Sequence, residues 1–389
     1  MYALVNLRSK RNSLALLAAA ALALAGCSSN PNAIEPNPLP DFEREFKVER
    51  AWSTGIGEGI DKAWLRLQPA VTHRAVYAAD LEGLVEAHEL ERGKRLWRTR
   101  TDDRISGGLY AGYGKVVYGT REGDVVALSE DDGSELWRIR LSSEVLSPAA
   151  MNASLAVVQT LDGQVVALDS ETGEERWRFD NPVPILILRG AATPTIVGDR
   201  VYVAFANGKV AALDIENGIP VWERRVAEPT GRSELERLVD ISNNLIVEGG
   251  GVFSATFQGS VAVLDQEAGR PYWTKDMSTS TQMASALGSL FVADSTGHVW
   301  AIDQRTGNTL WKLDLLYGRG LTGVAVQRGQ VVVGDAEGYL HWIDAASGRI
   351  TARTRHHRKG FAAAPVVRDD VLYVYGRRGR LAAYVLEDR

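Results

Sequence analysis

Short apolar runs alternate with tight polar turns along most of the chain, and this pattern predicts β-strands. Within 115–139 the run "KVVYG" meets the turn "REG", "DVVAL" follows, and the turn "DDG" leads into "SELWRI". Glycine supplies the positive φ that hairpin turns require, and neighbouring Asp, Asn and Ser side chains hydrogen-bond within such turns. Runs such as "DVVAL" are apolar at adjacent positions, which indicates strands buried on both faces.

The same unit recurs along the chain. In each copy a glycine is followed by a second glycine ten residues later and by a tryptophan fourteen residues later. The registers are Gly83, Gly93, Trp97; Gly123, Gly133, Trp137; Gly163, Gly173, Trp177; Gly208, Gly218, Trp222; Gly259, Gly269, Trp273; and Gly297, Gly307, Trp311. A seventh copy has Gly338 and Gly348 but Ala352 at the tryptophan position, and an eighth begins at Gly379.

Four short antiparallel strands in a repeat of roughly forty residues are typical of a β-propeller blade. The sequence therefore predicts an all-β, eight-bladed propeller over 46–389, with the repeated tryptophans packed between blades. The eighth copy lacks an outer strand, and "FKVERAWST" at 46–54 is a strand without a repeat of its own. We expect this N-terminal strand to complete the eighth blade, with Trp52 at its tryptophan position, and so to close the ring.

The first residues predict export and lipid anchoring. Three basic residues precede the apolar stretch "SLALLAAAALALAG", which is typical of a signal peptide spanning 1–26. Leu24-Ala25-Gly26-Cys27 resembles the lipobox of bacterial lipoproteins, which implies that Cys27 is acylated and becomes the mature N-terminus. Ser28 in the next position implies, by the same resemblance, anchoring in the outer membrane at its periplasmic face.

Composition narrows the function further. Residues 27–45 are rich in Pro, Asn and Glu and predict a flexible tether. Cleavage after residue 26 would move the net charge from −5 to −8, which argues against a nucleic-acid surface. Because Cys27 is the only cysteine, neither an intrachain disulfide nor a thiolate metal site is possible.

No pattern of catalytic or metal-binding residues is found. The six histidines form no spaced ligand set, and we expect His356 and His357 in "RTRHHRKG" to lie in a solvated basic loop. The blade motif "VVALDSETGEERW" resembles the repeats of pyrroloquinoline-quinone dehydrogenases, which implies a quinone and calcium site as one alternative. The chain is short for such an enzyme and lacks paired cysteines, so we predict a protein without enzymatic activity or cofactor.

Three connections between a tryptophan position and the next glycine exceed the usual 24 to 27 residues. They start at Trp52, Trp177 and Trp222 and span 31, 31 and 37 residues. All three join the outer strand of one blade to the inner strand of the next, so we expect them on one face of the disc, the last two side by side. "NPVPILILRGAATP" offers a run of apolar residues, and "EPTGRSELERLVDIS" predicts a short helix capped by Ser233. An exposed apolar patch here, bordered by Arg189, Arg232 and Asp240, would be a protein-binding site.

The segments "LILRGAATP" and "GRSELERLVDIS", together with the lipobox, resemble the BamB family of propeller lipoproteins. The resemblance implies a scaffold of the β-barrel assembly machinery that binds the POTRA domains of BamA and helps outer-membrane proteins to fold, with unfolded client proteins as further possible partners. Positions implied to contact BamA are Leu186, Leu188, Arg189 and Asp240, while a second acidic family position is Ser242 here. The residues alone leave open a carbohydrate or lipid binder that uses Arg353, Arg355, Arg358 and Lys359.

Overall fold

The computed structural model describes residues 34–60, 65–184, 186–188, 192–233, 235–241 and 243–388. The chain divides into two units, Met1–Pro36 and Asn37–Arg389. Within the first unit the described residues, 34–36, have no regular secondary structure. The predicted lipidation site, Cys27, lies outside the described residues. In the described part of the chain no helix is long and apolar enough to cross a membrane.

The second unit consists of four-stranded antiparallel sheets, which are the blades of a propeller. β1 is Phe46–Gly55. Blade 1 contains β2 (Ala70–Val71), β3 (Val76–Ala79), β4 (Leu84–His88) and β5 (Arg95–Arg100). Blade 2 contains β6 (Tyr110–Gly112), β7 (Lys115–Gly119), β8 (Asp124–Ser129) and β9 (Glu135–Arg140). Blade 3 contains β10 (Ala150–Met151), β11 (Leu155–Gln159), β12 (Gln164–Asp169) and β13 (Glu175–Asp180). Blade 4 contains β14 (Thr195–Val197), β15 (Arg200–Ala204), β16 (Lys209–Asp214) and β17 (Pro220–Arg225).

The remaining blades follow the same order. Blade 5 contains β18 (Ile246–Glu248), β19 (Gly251–Ala255), β20 (Ser260–Asp265) and β21 (Pro271–Asp276). Blade 6 contains β22 (Ala284–Ala286), β23 (Ser289–Ala293), β24 (Val299–Asp303) and β25 (Thr309–Leu313). Blade 7 contains β26 (Ala325–Gln327), β27 (Gln330–Gly334), β28 (Tyr339–Asp344) and β29 (Ile350–Arg355). Blade 8 contains β30 (Val366–Arg368), β31 (Val371–Tyr375) and β32 (Arg380–Asp388), with β1 as its fourth strand.

The ring closes as the sequence predicts. β1 pairs antiparallel with β32 from Phe46 opposite Asp388 to Gly55 opposite Arg380. The short first strands of the blades contact one another around the centre, and β30 of blade 8 contacts β2 of blade 1. The predicted all-β, eight-bladed propeller closed by its N-terminal strand is therefore confirmed for the described residues.

Each tryptophan of the repeat joins its blade to the next, as predicted. The indole Nε1 of Trp137 in blade 2 donates to the carbonyl of Ser170 in blade 3 at 3.0 Å, and its ring lies against Gly173. Gly173 has φ +75°, and a Cβ there would come within 2.7 Å of the indole. The second glycine of each repeat is thus required both by its turn and by the preceding blade's tryptophan. Equivalent bonds run from Trp52 to Leu90, Trp97 to Glu130, Trp177 to Ile215, Trp222 to Gln266, Trp273 to Gln304 and Trp311 to Ala345.

The missing tryptophan of the seventh repeat has a structural reason. Elsewhere the indole packs on the turn between the third and fourth strands of the next blade. Blade 8 has no such turn, because its fourth strand comes from the N-terminus. Ala352 instead lies in a core cluster to which Phe46 and Val48, at the start of β1, add their side chains.

Residues 37–45 differ from the predicted tether. Arg353 donates to the carbonyl of Pro40 at 2.6 Å, and its guanidinium lies 4.8 Å from the ring centre of Phe42. The backbone N–H of Glu45 donates to the carbonyl of Thr351 at 2.9 Å. The segment therefore forms a strap along β29, the outer strand of blade 7, where it covers a sheet edge. Because of these contacts, residues 37–45 belong to the same compact unit as the propeller, which begins at Asn37 rather than at residue 46.

Candidate functional site

The three long connections lie on one face of the disc. We call this the connection face; it carries the links from fourth to first strands and the turns between second and third strands, which hydrogen-bond to one another. A cavity of about 1130 Å³ opens at its centre. Residues from all three long connections line it, among them Arg66, Leu188 and Asn243. The prediction of a common face is thus confirmed for the described residues.

Residues 65–69, at the end of the first long connection, reach across this central opening. The guanidinium of Arg66 donates to the carbonyl of Ser280 at 2.6 Å, although Ser280 lies between blades 5 and 6 on the far side of the ring. The amide of Gln68 donates to the side chain of Gln282 and to the carbonyl of Ala364, both at 3.2 Å. The length of this connection stands out in the sequence, but nothing local in it identifies these distant acceptors.

The two connections 181–194 and 226–245 are directly joined. The backbone N–H of Leu188 donates to Oδ2 of Asp240 at 2.9 Å. Asp240 is in turn fixed to blade 5, since its carbonyl accepts from the N–H of Phe257 at 2.8 Å. The predicted adjacency of these loops is therefore correct, and Asp240 is what holds them together.

Asp240 does not lie in an exposed patch as expected, because its side chain is only 1% exposed. Burial raises its pKa to about 7, against the lowering effects of the Leu188 N–H and of the nearby Arg66. Its other oxygen, Oδ1, has no hydrogen-bond partner among the described residues. The buried carboxyl group accepts the hydrogen bond of the Leu188 N–H, and without this acceptor the N–H group would be left unpaired at a cost in stability.

The exposed apolar side chains of the site are leucines. Leu186 is 41% exposed and Leu235 is 67% exposed, while Leu188 is half-buried at the cavity wall. Arg232, three residues before Leu235 in the sequence, is also exposed. Beneath them Leu238, Val239 and Ile241 are buried, which ties the second loop to the disc. Arg189 and Ser242, also singled out above, lie outside the described residues.

The predicted helix after Ser233 is reduced to one capped turn. Oγ of Ser233 accepts from the N–H of Glu236 at 3.2 Å, and the Glu236 carboxylate accepts from the N–H groups of Arg232 and Ser233. These reciprocal bonds form a capping box, which stabilises a first helical turn. The turn goes no further because the burial of Leu238 and Val239 pulls the chain towards the bridge at Asp240.

The basic loop 353–359 divides into structural and exposed residues. Arg353 holds the strap, and Arg355 stacks on Tyr339 while donating to the carbonyl of Glu337. His356 is buried rather than solvated: its ring nitrogens lie 3.0 Å from the Tyr384 hydroxyl and 3.1 Å from the Arg380 carbonyl. Burial lowers the pKa of His356 to about 4, so it is neutral at physiological pH. Arg358 and Lys359 are exposed, and Lys359 lines the central cavity.

Polar side chains near the cavity do not form a metal site. Within the described ranges no group of three or more His, Cys, Asp and Glu side chains could hold a metal ion. The most buried ionic cluster links Arg319 to Asp335 at 2.8 Å and Asp335 to His341 at 3.1 Å. Burial alone would raise the pKa of Asp335, but the hydrogen bonds from His341 and Arg319 hold it below its usual value. This cluster braces blade 7, where Arg319 also donates to the carbonyl of Asn37 in the strap.

Sequence comparison identifies the family. A family model described as "Outer membrane protein assembly factor BamB" matches residues 81–313 and 296–389. The chain belongs to the BamB family. The BamB protein of Pseudomonas aeruginosa is 44% identical over 373 residues, covering 96% of this chain and 98% of that protein. The BamB protein of Escherichia coli K12 is 34% identical over 370 residues, covering 92% and 94%.

Solved structures agree with this assignment. BamB from Moraxella catarrhalis superposes with a TM-score of 0.81 at 27% identity, covering 87% of this chain and all of that one. A quinohemoprotein alcohol dehydrogenase from Comamonas testosteroni has a TM-score of 0.71 at 15% identity, covering 87% and 76%. The second likeness shows a shared fold alone. The resemblance to the BamB family is therefore confirmed, whereas the dehydrogenases are distant structural relatives of it.

Proposed function

We propose that this chain is a non-enzymatic scaffold of outer-membrane protein assembly, which binds the POTRA domains of BamA through the connections 181–194 and 226–245. The relatives at 44% and 34% identity are each named outer membrane protein assembly factor BamB, and this chain matches nearly the whole length of both. The observation that carries the site is the junction of two apolar loops by the bond from Leu188 to Asp240.

The geometry suits the binding of a protein. Leu186 and Leu235 present apolar surface to water, whereas the other leucines of these loops are half-buried, as Leu188 is, or buried. Arg232 adds a cation at the border, and Arg189 is a further family position within the first loop. Apolar anchors surrounded by charged residues are common in protein interfaces, where burial of the anchors supplies most of the affinity. Asp240 contributes indirectly by fixing the backbone on which Leu188 lies.

We further propose that the chain is anchored by acylation of Cys27 in the inner leaflet of the outer membrane, facing the periplasm. The lone cysteine follows Leu24-Ala25-Gly26 at the end of the apolar leader. Several acyl chains give a stable anchor, since each buried methylene contributes about 0.8 kcal/mol. The anchor would keep the scaffold beside the membrane in which its client proteins are assembled.

Co-purification with BamA tests the docking site. The variant Leu186→Asp with Leu235→Asp is expected to lower recovery of BamA at least tenfold, because two anchors that each contribute about 1.5–3 kcal/mol are lost. The matched control is Leu96→Asp with Leu310→Asp, which changes leucines that are 51% and 54% exposed on the outer strands of blades 1 and 6. Equal recovery from both double variants would refute the site.

A further inference from the structure

The N-terminal strap meets the disc on the connection face. The backbone N–H of Asn37 donates to the carbonyl of Tyr317 at 2.9 Å, and its side-chain amide donates to the carbonyl of Asp314 at 3.2 Å. Arg319 donates back to the carbonyl of Asn37 at 2.9 Å. All three partners lie in the connection between β25 and β26. The strap then passes along β29 to the opposite face before β1 begins.

The short segment between Cys27 and Asn37 limits how far the disc can lie from a lipid anchor at Cys27. Ten residues separate Cys27 from Asn37. Fully extended, they span at most about 35 Å. An acylated Cys27 would therefore hold the Asn37 edge of the connection face within that distance of the membrane.

Next to this edge the connection face is basic. Arg358 and Lys359 lie in the connection between blades 7 and 8, and Arg377 and Arg378 lie in the turn between β31 and β32. The two segments are joined by a bond from the Arg377 N–H to the Gly360 carbonyl at 3.3 Å. We call these four residues the basic sector.

Two acidic side chains in the described part of the chain lie near the basic sector. Glu58 is exposed beside the turn, where the neighbouring Ile60 N–H donates to the Arg377 carbonyl. Glu337, in the turn of blade 7, is paired with Arg319 at 2.9 Å. Because the whole chain carries a net charge of −5, the positive charge of the basic sector differs in sign from that of the protein as a whole. Such a cluster attracts an anionic surface only within about one Debye length, roughly 8–10 Å at physiological salt.

We propose that the basic sector lies against the anionic phospholipid headgroups of the leaflet that holds the anchor. This inference rests on the proposed acylation of Cys27. Each cation near an anionic bilayer contributes about 1 kcal/mol, so four of them orient a disc that is already tethered. The loops 181–194 and 226–245 lie at blades 3 to 5, across the central cavity from blades 7 and 8. One face would thus meet the membrane at one side and a protein partner at the other.

A fluorescent label measures which face is near the lipid. The acylated full-length chain is placed on phosphatidylethanolamine vesicles with or without one quarter phosphatidylglycerol, both containing headgroup-labelled quencher. Because the native cysteine is acylated, an added cysteine is labelled alone. Gly55→Cys puts the label beside the basic sector in open space, and Leu287→Cys puts it on the opposite face at a side chain that is 76% exposed.

The charge variants are matched in number and sign. Arg358→Glu with Arg378→Glu reverses two cations of the basic sector. Arg92→Glu with Arg305→Glu reverses two exposed cations in third-to-fourth strand turns of the opposite face. On phosphatidylglycerol vesicles we expect the label at 55 to be quenched more than the label at 287. The first variant should reduce this excess at least threefold, and the second should leave it unchanged.

Flotation separates the two proposals. Every variant should float with the vesicles, because the acyl chains do not depend on these charges. Equal quenching of both labels on floating protein, or an excess that survives reversal of Arg358 and Arg378, would overturn the basic sector as a lipid contact and leave the anchor in place. Protein that fails to float would overturn the anchor and this inference with it.

Discussion

Replacing Asp240 by Asn should stabilise the protein at alkaline pH. Asn has the same shape, and its carbonyl oxygen can accept the Leu188 N–H that Asp240 now accepts at 2.9 Å. What the substitution removes is a charge at a side chain that is 1% exposed. In the wild type this charge must form inside the disc once the pH exceeds the raised pKa of the carboxyl group.

The size of the effect follows from that pKa. Burial raises the pKa of Asp240 from 3.8 to about 7. Between these values the folded protein holds a proton that the unfolded chain has released, so the contribution of Asp240 to stability is complete below pH 4 and is lost as the pH rises towards 7. A shift of about three units corresponds to about 4 kcal/mol at pH 8. For a propeller of about 350 residues, each kcal/mol changes the melting temperature by roughly 1.4 °C.

Thermal unfolding of both proteins at pH 4 and pH 8 checks this reasoning. We expect equal melting temperatures at pH 4 and a variant that melts about 5 °C higher at pH 8. Asp199→Asn is the control, because it makes the same substitution at a carboxylate that is 87% exposed. An Asp240→Asn protein that is less stable than wild type at pH 8 would show that the ionised carboxylate, paired with Arg66, stabilises the fold.

Three other outcomes follow from the structure. In denaturant titrations Gly173→Ala should destabilise the protein by more than about 2 kcal/mol, because it adds a clash with Trp137 to the strain of positive φ. The control Gly198→Ala, at φ +60° in open space, should cost only about 1–2 kcal/mol. Equal losses would contradict the contact between Gly173 and Trp137. Phe42→Ala should speed hydrogen exchange of the Glu45 amide severalfold by removing the ring under Arg353, and unchanged exchange would contradict the strap. Dye reduction by the purified protein with quinone and calcium should stay at background, and turnover would contradict a non-enzymatic scaffold.

The repeat made most of the fold predictable. Glycine and tryptophan at fixed spacing are local requirements, since the Gly173 turn and the Trp137 indole constrain each other directly. The closing strand could also be predicted, because the last repeat ends where the orphan strand with Trp52 is needed. Even the exception at Ala352 follows from the closure, although its reason is visible only once β1 is in place.

The candidate site was predictable in outline only. The lengths and positions of the long connections predict that they lie on one face of the disc and that the loops 181–194 and 226–245 are neighbours. The burial of Asp240, the span of Arg66 to Ser280 and the docking of Phe42 on Arg353 were not predictable, because each depends on a partner far away in the sequence. The sequence pattern predicts a surface position for a polar residue in an interrupted repeat, whereas the backbone N–H of Leu188 in the other loop requires a buried acceptor.

Photo-crosslinking in intact cells tests the central claim, that the two joined loops dock on BamA. A crosslinking amino acid at Leu186 or Leu235 samples the exposed side chains of the two loops, and one at Leu287 samples the opposite face. We predict BamA adducts from positions 186 and 235 and none from 287. Adducts absent from both loops, or formed equally from position 287, would contradict the docking site.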